Sequence, residues 1–287
     1  MIELDNRIIG IKDRKRILFF YFHNSQMNLF KRYLYQNNWI DIEYDSKMTK
    51  KGGFLAYPVL YIYKIEVLNK LNHIVYYNKK YINKSSYDFL NSLENKLFLD
   101  LEMTMPSYSF KGKGFRTELI QAGLLLVNKD NEIIYKYDNY IKAKLSPTIS
   151  KRALNFLNIS LEEYNSKAID YIDFYNEFKR IIEEYNPAII VYGRNDILVL
   201  NDSYDINEVE SLKDKCRFIN LCQLLKSFYE LKNDPGLFKL YNIFYENVDE
   251  QVHDALSDSM ATYKVFEAFK EDIKNDVMLN IIRENFD

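Results

Sequence analysis

The stretch Leu97-Phe98-Leu99-Asp100-Leu101-Glu102 places two acids, two residues apart, within an otherwise apolar strand. Because successive side chains of a strand point to opposite faces, Asp100 and Glu102 lie on the same face. Two neighbouring carboxylates in such a strand repel each other and raise each other's pKa, whereas a divalent cation turns the same arrangement into a binding site. The stretch therefore predicts a buried strand with two acids on one face, an arrangement that suits a divalent cation.

The same D-x-E spacing occurs at Asp41-Ile42-Glu43, so the pair alone does not identify a site. Further polar residues later in the chain favour Asp100 and Glu102, rather than Asp41 and Glu43, as the site. Asp196 follows the apolar run 188–192, where a strand ends and a helix begins, which is a common place for active-site groups in α/β sheets. A plain helix cap is the alternative role for Asp196. His253 and Asp258 then open the last long helix, and a single histidine is more often structural than catalytic.

The charge of the chain is unevenly distributed. Residues 1–95 carry 15 Lys and Arg against 9 Asp and Glu, whereas residues 96–287 carry 24 against 32. A basic module therefore precedes an acidic one, with the boundary at the polar segment 91–95. This asymmetry is typical of a phosphate-binding domain joined to a carboxylate-lined metal enzyme, although a solvated basic face without a partner produces the same pattern.

Composition excludes several classes of protein. With 47% hydrophobic and 28% charged residues, and 8 Gly and 5 Pro among 287 residues, the chain is neither collagen, nor a coiled coil, nor disordered. No apolar run approaches the roughly 20 residues of a membrane helix, and residues 1–5 do not resemble a signal peptide. We therefore expect a cytoplasmic protein without membrane contact. Cys216 and Cys222 lack metal-site spacing and are expected to be reduced thiols.

The two modules also differ in predicted secondary structure. Residues 1–95 are predicted to be mostly strand, because β-branched and aromatic residues alternate there between polar turns. The second module is predicted to be α/β with a mixed sheet, because three strands are followed by alternating helices and one buried strand. Its strands are predicted at 97–101, 119–127, 133–141 and 188–192. Helices are predicted at 171–185 and 237–245, and a last long helix at about 253–271.

In their order and context these residues resemble the DEDDh family of 3′→5′ exonucleases, which includes the polymerase III epsilon subunit, RNase T and small-RNA trimming enzymes. The resemblance covers residues 96 to about 272. It is carried by four segments, 98–104, 118–123, 192–196 and 253–262, of which the third is similar to the middle motif of the RNA-trimming branch. One departure is Ser259, where alanine is usual.

The resemblance implies a ribonuclease H-like mixed sheet flanked by helices, with a C-terminal helical tail. It implies two Mg²⁺ or Mn²⁺ ions, a histidine general base and release of nucleoside 5′-monophosphates. The implied catalytic residues are Asp100, Glu102, Asp196, Asp258 and His253, of which the four acids hold the metals, Asp196 partly through water. Thr104 and Met105 are expected at the terminal nucleotide. Lys111, Lys113 and Arg116 are expected at the phosphates, unless their loop is merely solvated.

The first module is similar to cold-shock OB-folds, which are small β-barrels. Residues 19–25 resemble the aromatic strand of that family, and residues 39–44 and 53–59 resemble its last two strands. The segment that joins the second and third strands in the family is missing. Because such surfaces stack unpaired bases on aromatic rings, Tyr21 and His23 are predicted nucleic-acid contacts. The alternating Phe and Tyr are also what a small barrel core requires.

We therefore expect a basic OB-like domain at 1–95, which binds nucleic acid, followed by an exonuclease domain at 96–287. The expected partner is single-stranded nucleic acid, with RNA favoured over DNA. Two alternatives stay open. One is a DNA-directed exonuclease of proofreading or repair, and the other is an adaptor that retains the fold and binds nucleic acid or protein.

Overall fold

The computed structural model describes residues 2–5, 7–68, 73–112, 114–146, 148–246, 254–275 and 277–286. Two of the predicted site residues, Lys113 and His253, lie outside these ranges. The chain divides into two compact units between residues 88 and 89, whereas the charge pattern placed the boundary after residue 95. The division falls inside a helix, Lys79–Asn91.

The first unit is mainly β. Its sheet has the order β1-β2-β3-β6-β4, and β5 and β7 also pair with β6. Strand β3 is parallel to β6, and the other described pairings are antiparallel. The strands are β1 Ile2–Asp5, β2 Ile8–Asp13, β3 Arg16–Tyr21, β4 Asn38–Tyr44, β5 Thr49–Lys51, β6 Phe54–Leu68 and β7 His73–Asn78. The helices are α1 Asn24–Phe30 and α2 Lys79–Asn91.

The side chains of β3 alternate between two faces, which pack against different residues. Phe20, together with Phe22 just after the strand, packs into the main core of the unit with Ile62 and Ile65 of β6. Tyr21 lies on the other face, in a smaller cluster with Ile8 and Ala56. The period of two therefore gives β3 one face in the main core and one that is only partly covered.

The second unit is α/β with a five-stranded mixed sheet in the order β10-β9-β8-β11-β12. Strands β10 and β8 both pair with β9 in antiparallel orientation, and β8, β11 and β12 are parallel. The strands are β8 Lys96–Met103, β9 Leu119–Val127, β10 Ile133–Tyr140, β11 Ala188–Val191 and β12 Arg217–Asn220. The helices are α3 Lys151–Phe156, α4 Leu161–Lys167, α5 Tyr171–Tyr185, α6 Asn195–Asn207, α7 Leu221–Phe228, α8 Leu237–Tyr245, α9 Ala255–Asn275 and α10 Leu279–Phe286.

Helices cover both faces of this sheet, and β8 divides its side chains between them. Leu97, Leu99 and Leu101 belong to the core that includes the apolar stripe of α5. Phe98 points the other way, with its ring 5.5 Å from the ring of Phe266 in α9. Residues 100 and 102 share the face of Phe98, so the strand directs both acids towards α9.

The predicted strands and helices of this unit agree closely with those observed, and α5 and α8 have the predicted bounds. Strand β12 and helices α3, α4 and α7 were missed. Each has only four to eight residues, which is too short for a hydrophobic period to be distinctive. No helix within the described ranges has the length and apolar character needed to cross a membrane.

Candidate active site

Three carboxylates meet between β8 and α9. Asp100 and Glu102 come from the α9-facing side of β8, and Asp258 comes from the first turn of α9. One oxygen of each lies within 4.8 Å of those of the other two. The strand period sets the first two side by side, and the packing of α9 supplies the third.

Asp196 adjoins this cluster from a third element. It lies in the first turn of α6, directly after β11, which is the parallel neighbour of β8. Its Oδ1 accepts a hydrogen bond of 3.0 Å from the backbone N–H of Leu101. The residue therefore ties α6 to β8 with one oxygen, and its other oxygen is not committed to that bond.

Burial and mutual repulsion dominate the electrostatics of the four acids. Loss of hydration, followed by the charges of the neighbouring acids, raises the pKa of Asp100 well above its ordinary range and that of Glu102 to about 8. The same causes raise the pKa of Asp258 to about 7. Burial raises the pKa of Asp196 to about 6. Like charges held together in this way need a compensating partner.

The acids suit a divalent cation. Within the described ranges, no Lys or Arg forms an ion pair with any of the four. The Oδ1 atom of Asp258 is buried and has no hydrogen-bond partner. Carboxylate oxygens are the ligands that hard divalent cations prefer, and a cation supplies the opposite charge that the cluster lacks.

A glycine of β9 allows α9 to approach this closely. Gly123 pairs with Asp100 in the β8–β9 register. A Cβ built on Gly123 would fall 2.1 Å from the carbonyl carbon of Ala255, the first residue of α9. Ser259 adds a hydrogen bond of 2.9 Å from its hydroxyl to the Gly123 carbonyl. The serine that departs from the family pattern thus strengthens the contact between α9 and the sheet.

A second contact anchors the residue just before α9. Gln121 is buried and pairs with Glu102 in the same register. Its amide nitrogen donates to Asp254 at 2.9 Å and to Asp138 of β10 at 3.0 Å. Asp254 in turn accepts from the backbone and hydroxyl of Ser257 in the first turn of the helix. Gln121 therefore links the sheet to the turn that carries Asp258.

Thr104 and Met105 lie at the exit of β8. The backbone N–H of Thr104 donates to the carbonyl of Glu118, and the N–H of Glu118 donates to the Thr104 hydroxyl, both at 2.8 Å. The Met105 carbonyl accepts a 2.7 Å hydrogen bond from the hydroxyl of Ser150. The segment expected at the terminal nucleotide is thus held on both sides.

The remaining predicted nucleic-acid contacts are more scattered. Lys111 and Arg116 are exposed on the loop between β8 and β9. Tyr21 is buried, and its ring has the Arg7 guanidinium 5.3 Å and the Lys51 ammonium 5.2 Å from its centroid. It is therefore not the open stacking ring that the sequence predicted, because the residue is only 8% exposed and packs with Ile8 and Ala56. His23 is exposed next to it, at the start of α1.

No individual role was predicted for Gln121, Gly123 and the buried acid Glu118, although they lie in the segment 118–123 that carries part of the resemblance. A signal existed for the glycine, because Gly inside an apolar strand often marks a close approach of another backbone. The Glu118 carboxylate accepts from three consecutive backbone N–H groups, of residues 144, 145 and 146, at 2.6 to 2.8 Å. Those partners lie in a loop, and nothing in the sequence linked that loop to Glu118.

The mixed sheet and the acidic cluster define the class of protein as a nuclease of ribonuclease H-like fold. A family described as "Exonuclease" (RNase T) matches residues 97–266. The chain therefore belongs to this exonuclease family, as a 3′→5′ exonuclease of the DEDDh type. Enzymes of this family use divalent metals, in agreement with the carboxylate cluster.

Individual relatives agree with the assignment. The probable 3′-5′ exonuclease KapD of Bacillus subtilis is 27% identical over 177 residues, which cover 61% of this chain and 84% of that protein. The nuclease domain of 3′hExo, a DEDDh family member bound to rAMP, has a TM-score of 0.51 at 14% identity and covers 64% of this chain and 94% of its own. Cell-death related nuclease 4 has a TM-score of 0.52 at 17% identity, covering 63% and 64%. The two structures show that the fold is shared.

The raised carboxyl pKa values predict that stabilisation by metal grows with pH. Without metal, the folded protein keeps protons on Glu102 (pKa about 8) and Asp258 (pKa about 7) that the unfolded chain has already lost. Stability from these groups is therefore present at low pH and is lost as pH rises through about 7 to 8. A bound cation replaces those protons. The rise in Tm on exchanging EDTA for Mn²⁺ should be small at pH 5.5 and largest near pH 8.5.

The control is Asp258→Asn, which removes one ligand and should show a smaller increment with a weaker dependence on pH. An increment in the parent protein that stays constant from pH 5.5 to 8.5 would mean that the cluster does not bind the cation.

Proposed function

We propose that this enzyme removes nucleotides from the 3′ end of single-stranded nucleic acid, RNA in preference to DNA, and releases nucleoside 5′-monophosphates with the help of two Mg²⁺ or Mn²⁺ ions. The observation that carries the proposal is the cluster of Asp100, Glu102 and Asp258, with Asp196 beside it, in a chain of the exonuclease family. The preference for RNA is supported by the 192–196 motif and by two neighbours of this fold described with rAMP and with a histone mRNA stem-loop.

The proposed mechanism assigns a role to each side chain. Asp100, Glu102 and Asp258 hold the cations, and Asp196 keeps α6 against β8 while its second oxygen takes part through water. When bound, the cations polarise the scissile phosphate and lower the pKa of the attacking water. His253, with an ordinary pKa near 6.5, accepts the proton of that water at neutral pH. Thr104 and Met105 position the terminal nucleotide.

The proposal is tested by a time course on RNA and DNA oligomers of equal sequence, labelled at the 5′ end, with Mg²⁺ or Mn²⁺. We expect progressive shortening from the 3′ end, faster on RNA, with 5′-mononucleotides as products. Faster shortening of DNA would favour a proofreading or repair enzyme. A folded protein that binds both oligomers without shortening either would be an adaptor.

We also propose that the first unit is an OB-like module that binds the same single strand. Support comes from the sheet order, because β3 pairs in parallel with β6 and β4 lies on the far side of β6, a non-consecutive connection of the kind that Greek-key barrels contain. The partly covered face of β3 presents Phe19 next to the exposed ring of Phe54, with centroids 5.8 Å apart. Lys51 precedes this ring in the hairpin of β5 and β6.

If the first unit binds nucleic acid through this face of β3, altering the face should lower the affinity for long single-stranded nucleic acids. Phe54→Ala should weaken binding of a 20-nucleotide single strand by about 1 to 3 kcal/mol, because a stacking ring is removed. Lys51→Ala should make the log–log salt dependence shallower by about 0.7, because one phosphate contact is lost. Fluorescence anisotropy in an Asp258→Asn background measures both effects without cleavage.

Two variants serve as controls. Leu55→Ala changes the neighbouring exposed residue on the opposite side of β6, and Lys80→Ala removes an exposed charge from α2. If Phe54→Ala and Lys51→Ala bind like these controls, the face does not contact nucleic acid.

A further inference from the structure

Two stretches of the acidic second unit contain cations and no acids. Residues 103–117 hold Lys111, Lys113 and Arg116, and residues 139–161 hold Lys142, Lys144, Lys151 and Arg152. The unit as a whole has an excess of acids, so the separation of charge is local. Lys142 and Lys144 form ion pairs with Asp170 and Glu208. Their charges are therefore partly neutralised.

The fold brings the two stretches together next to the active site. The Ser150 hydroxyl donates to the Met105 carbonyl at 2.7 Å, which joins the start of α3 to the exit of β8. The guanidinium of Arg152 lies 5.6 Å from the centre of the Tyr108 ring. Since Thr104 is two residues beyond Glu102, this surface begins where the metal-binding strand ends.

The side chains of this surface are available for a ligand. Tyr108 is 80% exposed, although aromatic rings are usually covered. Lys111, Arg116, Lys151 and Arg152 are also exposed, and within the described ranges they have no ion-pair partner. We call this surface the basic platform, and it consists of Tyr108, Lys111, Arg116, Lys151 and Arg152.

We propose that the basic platform binds the nucleotides upstream of the scissile phosphodiester, with a base stacked on Tyr108 and phosphates on the surrounding cations. This inference rests on the proposed function, because it assumes a single-stranded substrate. An exposed ring beside a guanidinium is the combination that holds unpaired bases, since both are flat and the cation attracts the adjacent phosphate. Four cations without acids supply the complementary charge.

The contribution of the basic platform to binding depends on the length of the substrate. A substrate with a single nucleotide reaches only the cluster of carboxylates and the segment around Thr104. A longer strand also covers Tyr108 and Arg152. Altering the platform should therefore weaken binding of oligomers and leave the cleavage of one-nucleotide substrates unchanged.

The test compares a decamer, of the sugar that the unaltered enzyme cleaves, with the p-nitrophenyl ester of thymidine 5′-monophosphate. Tyr108→Ala should raise KM for the decamer about 5- to 150-fold. Its kcat/KM for the ester should stay within twofold of the parent. Arg152→Ala should raise KM for the decamer and also make its salt dependence shallower by about 0.7. Tyr108→Phe keeps a flat ring and should behave like the parent enzyme.

Lys213→Ala is the matched control for charge, because Lys213 is exposed on a different segment and its removal changes the net charge equally. If both platform variants cleave the decamer with the parent's KM, the platform does not bind the strand. Equal losses on the ester and the decamer would assign Tyr108 to the reaction centre or to folding and would also overturn the proposal. If the parent enzyme shortens no oligomer at all, the proposed function fails instead.

Discussion

Replacing Asp258 by asparagine is expected to reduce hydrolysis at least about 10³-fold while leaving the protein folded. Metal ions stabilise charge in the transition state by several kcal/mol, and each 1.36 kcal/mol changes the rate tenfold. Asparagine has nearly the same shape but lacks the negative charge that holds the cation. Because burial and repulsion raise the pKa of Asp258 to about 7, the neutral amide relieves repulsion among the acids. In EDTA at pH 8, the variant should melt at least as high as the parent.

The control for this prediction is Asp41→Ala. Asp41 belongs to the other D-x-E pair and is exposed on β4 of the first unit, outside the acidic cluster. The variant should keep full activity on short oligomers. Initial rates with Mn²⁺ and thermal melts are measured on both variants. An active Asp258→Asn enzyme, or an equally impaired Asp41→Ala enzyme, would show that the cluster is not the metal site.

Gly123→Ala is expected to lower activity about 100-fold and to lower the Tm, although Gly123 carries no functional group. Its Cβ would fall 2.1 Å from the backbone of Ala255, and 2.2 and 2.3 Å from two further backbone atoms at the start of α9. Backbone cannot rotate away as a flexible side chain can, so α9 must shift. Overpacking of this kind costs about 1 to 3 kcal/mol or more. A displacement of about 1 Å at Asp258 is sufficient for a loss of about 10²-fold.

Gly236→Ala is the matched control. It makes the same substitution at the start of α8, where a Cβ would meet its nearest neighbour at an ordinary 4.0 Å. The two proteins are compared by melting temperature and by initial rate over a range of Mn²⁺ concentrations. For Gly123→Ala, we expect both weaker metal activation and a lower Tm. Activity equal to that of Gly236→Ala would mean that α9 does not need close contact with β9 to place Asp258.

Some parts of the fold were predictable because their signal is local. The apolar run 119–127 predicts β9 with its observed bounds, and the apolar helical stripe of 171–185 predicts α5 with its observed bounds. The first unit was predicted to be mostly strand, and it is. Strand β5 and helices α3 and α4 were not predicted, since three to seven residues contain too few periods to stand out.

The cation contacts of Tyr21 could not be anticipated in the same way. Alternating Phe and Tyr residues predict a strand with two faces, but they do not predict which residues cover each face. Lys51 reaches the Tyr21 ring from the hairpin of β5 and β6, about thirty residues later in the chain. Which aromatic ring is open to a base therefore depended on the pairing of distant strands.

Within the site, the sequence alone determined that Asp100 and Glu102 share one face of a buried strand, because that follows from the two-residue period of any strand. It also determined the order of the acids along the chain, which carried the resemblance to the exonucleases. Only the tertiary structure decided that Asp258 meets those two acids, that Asp196 binds the Leu101 N–H, and that Gly123 admits the start of α9. These contacts join segments far apart in the chain. Their geometry depends on which strands are neighbours and on how closely a helix packs against them. Neither can be predicted from the local periodicity of the sequence.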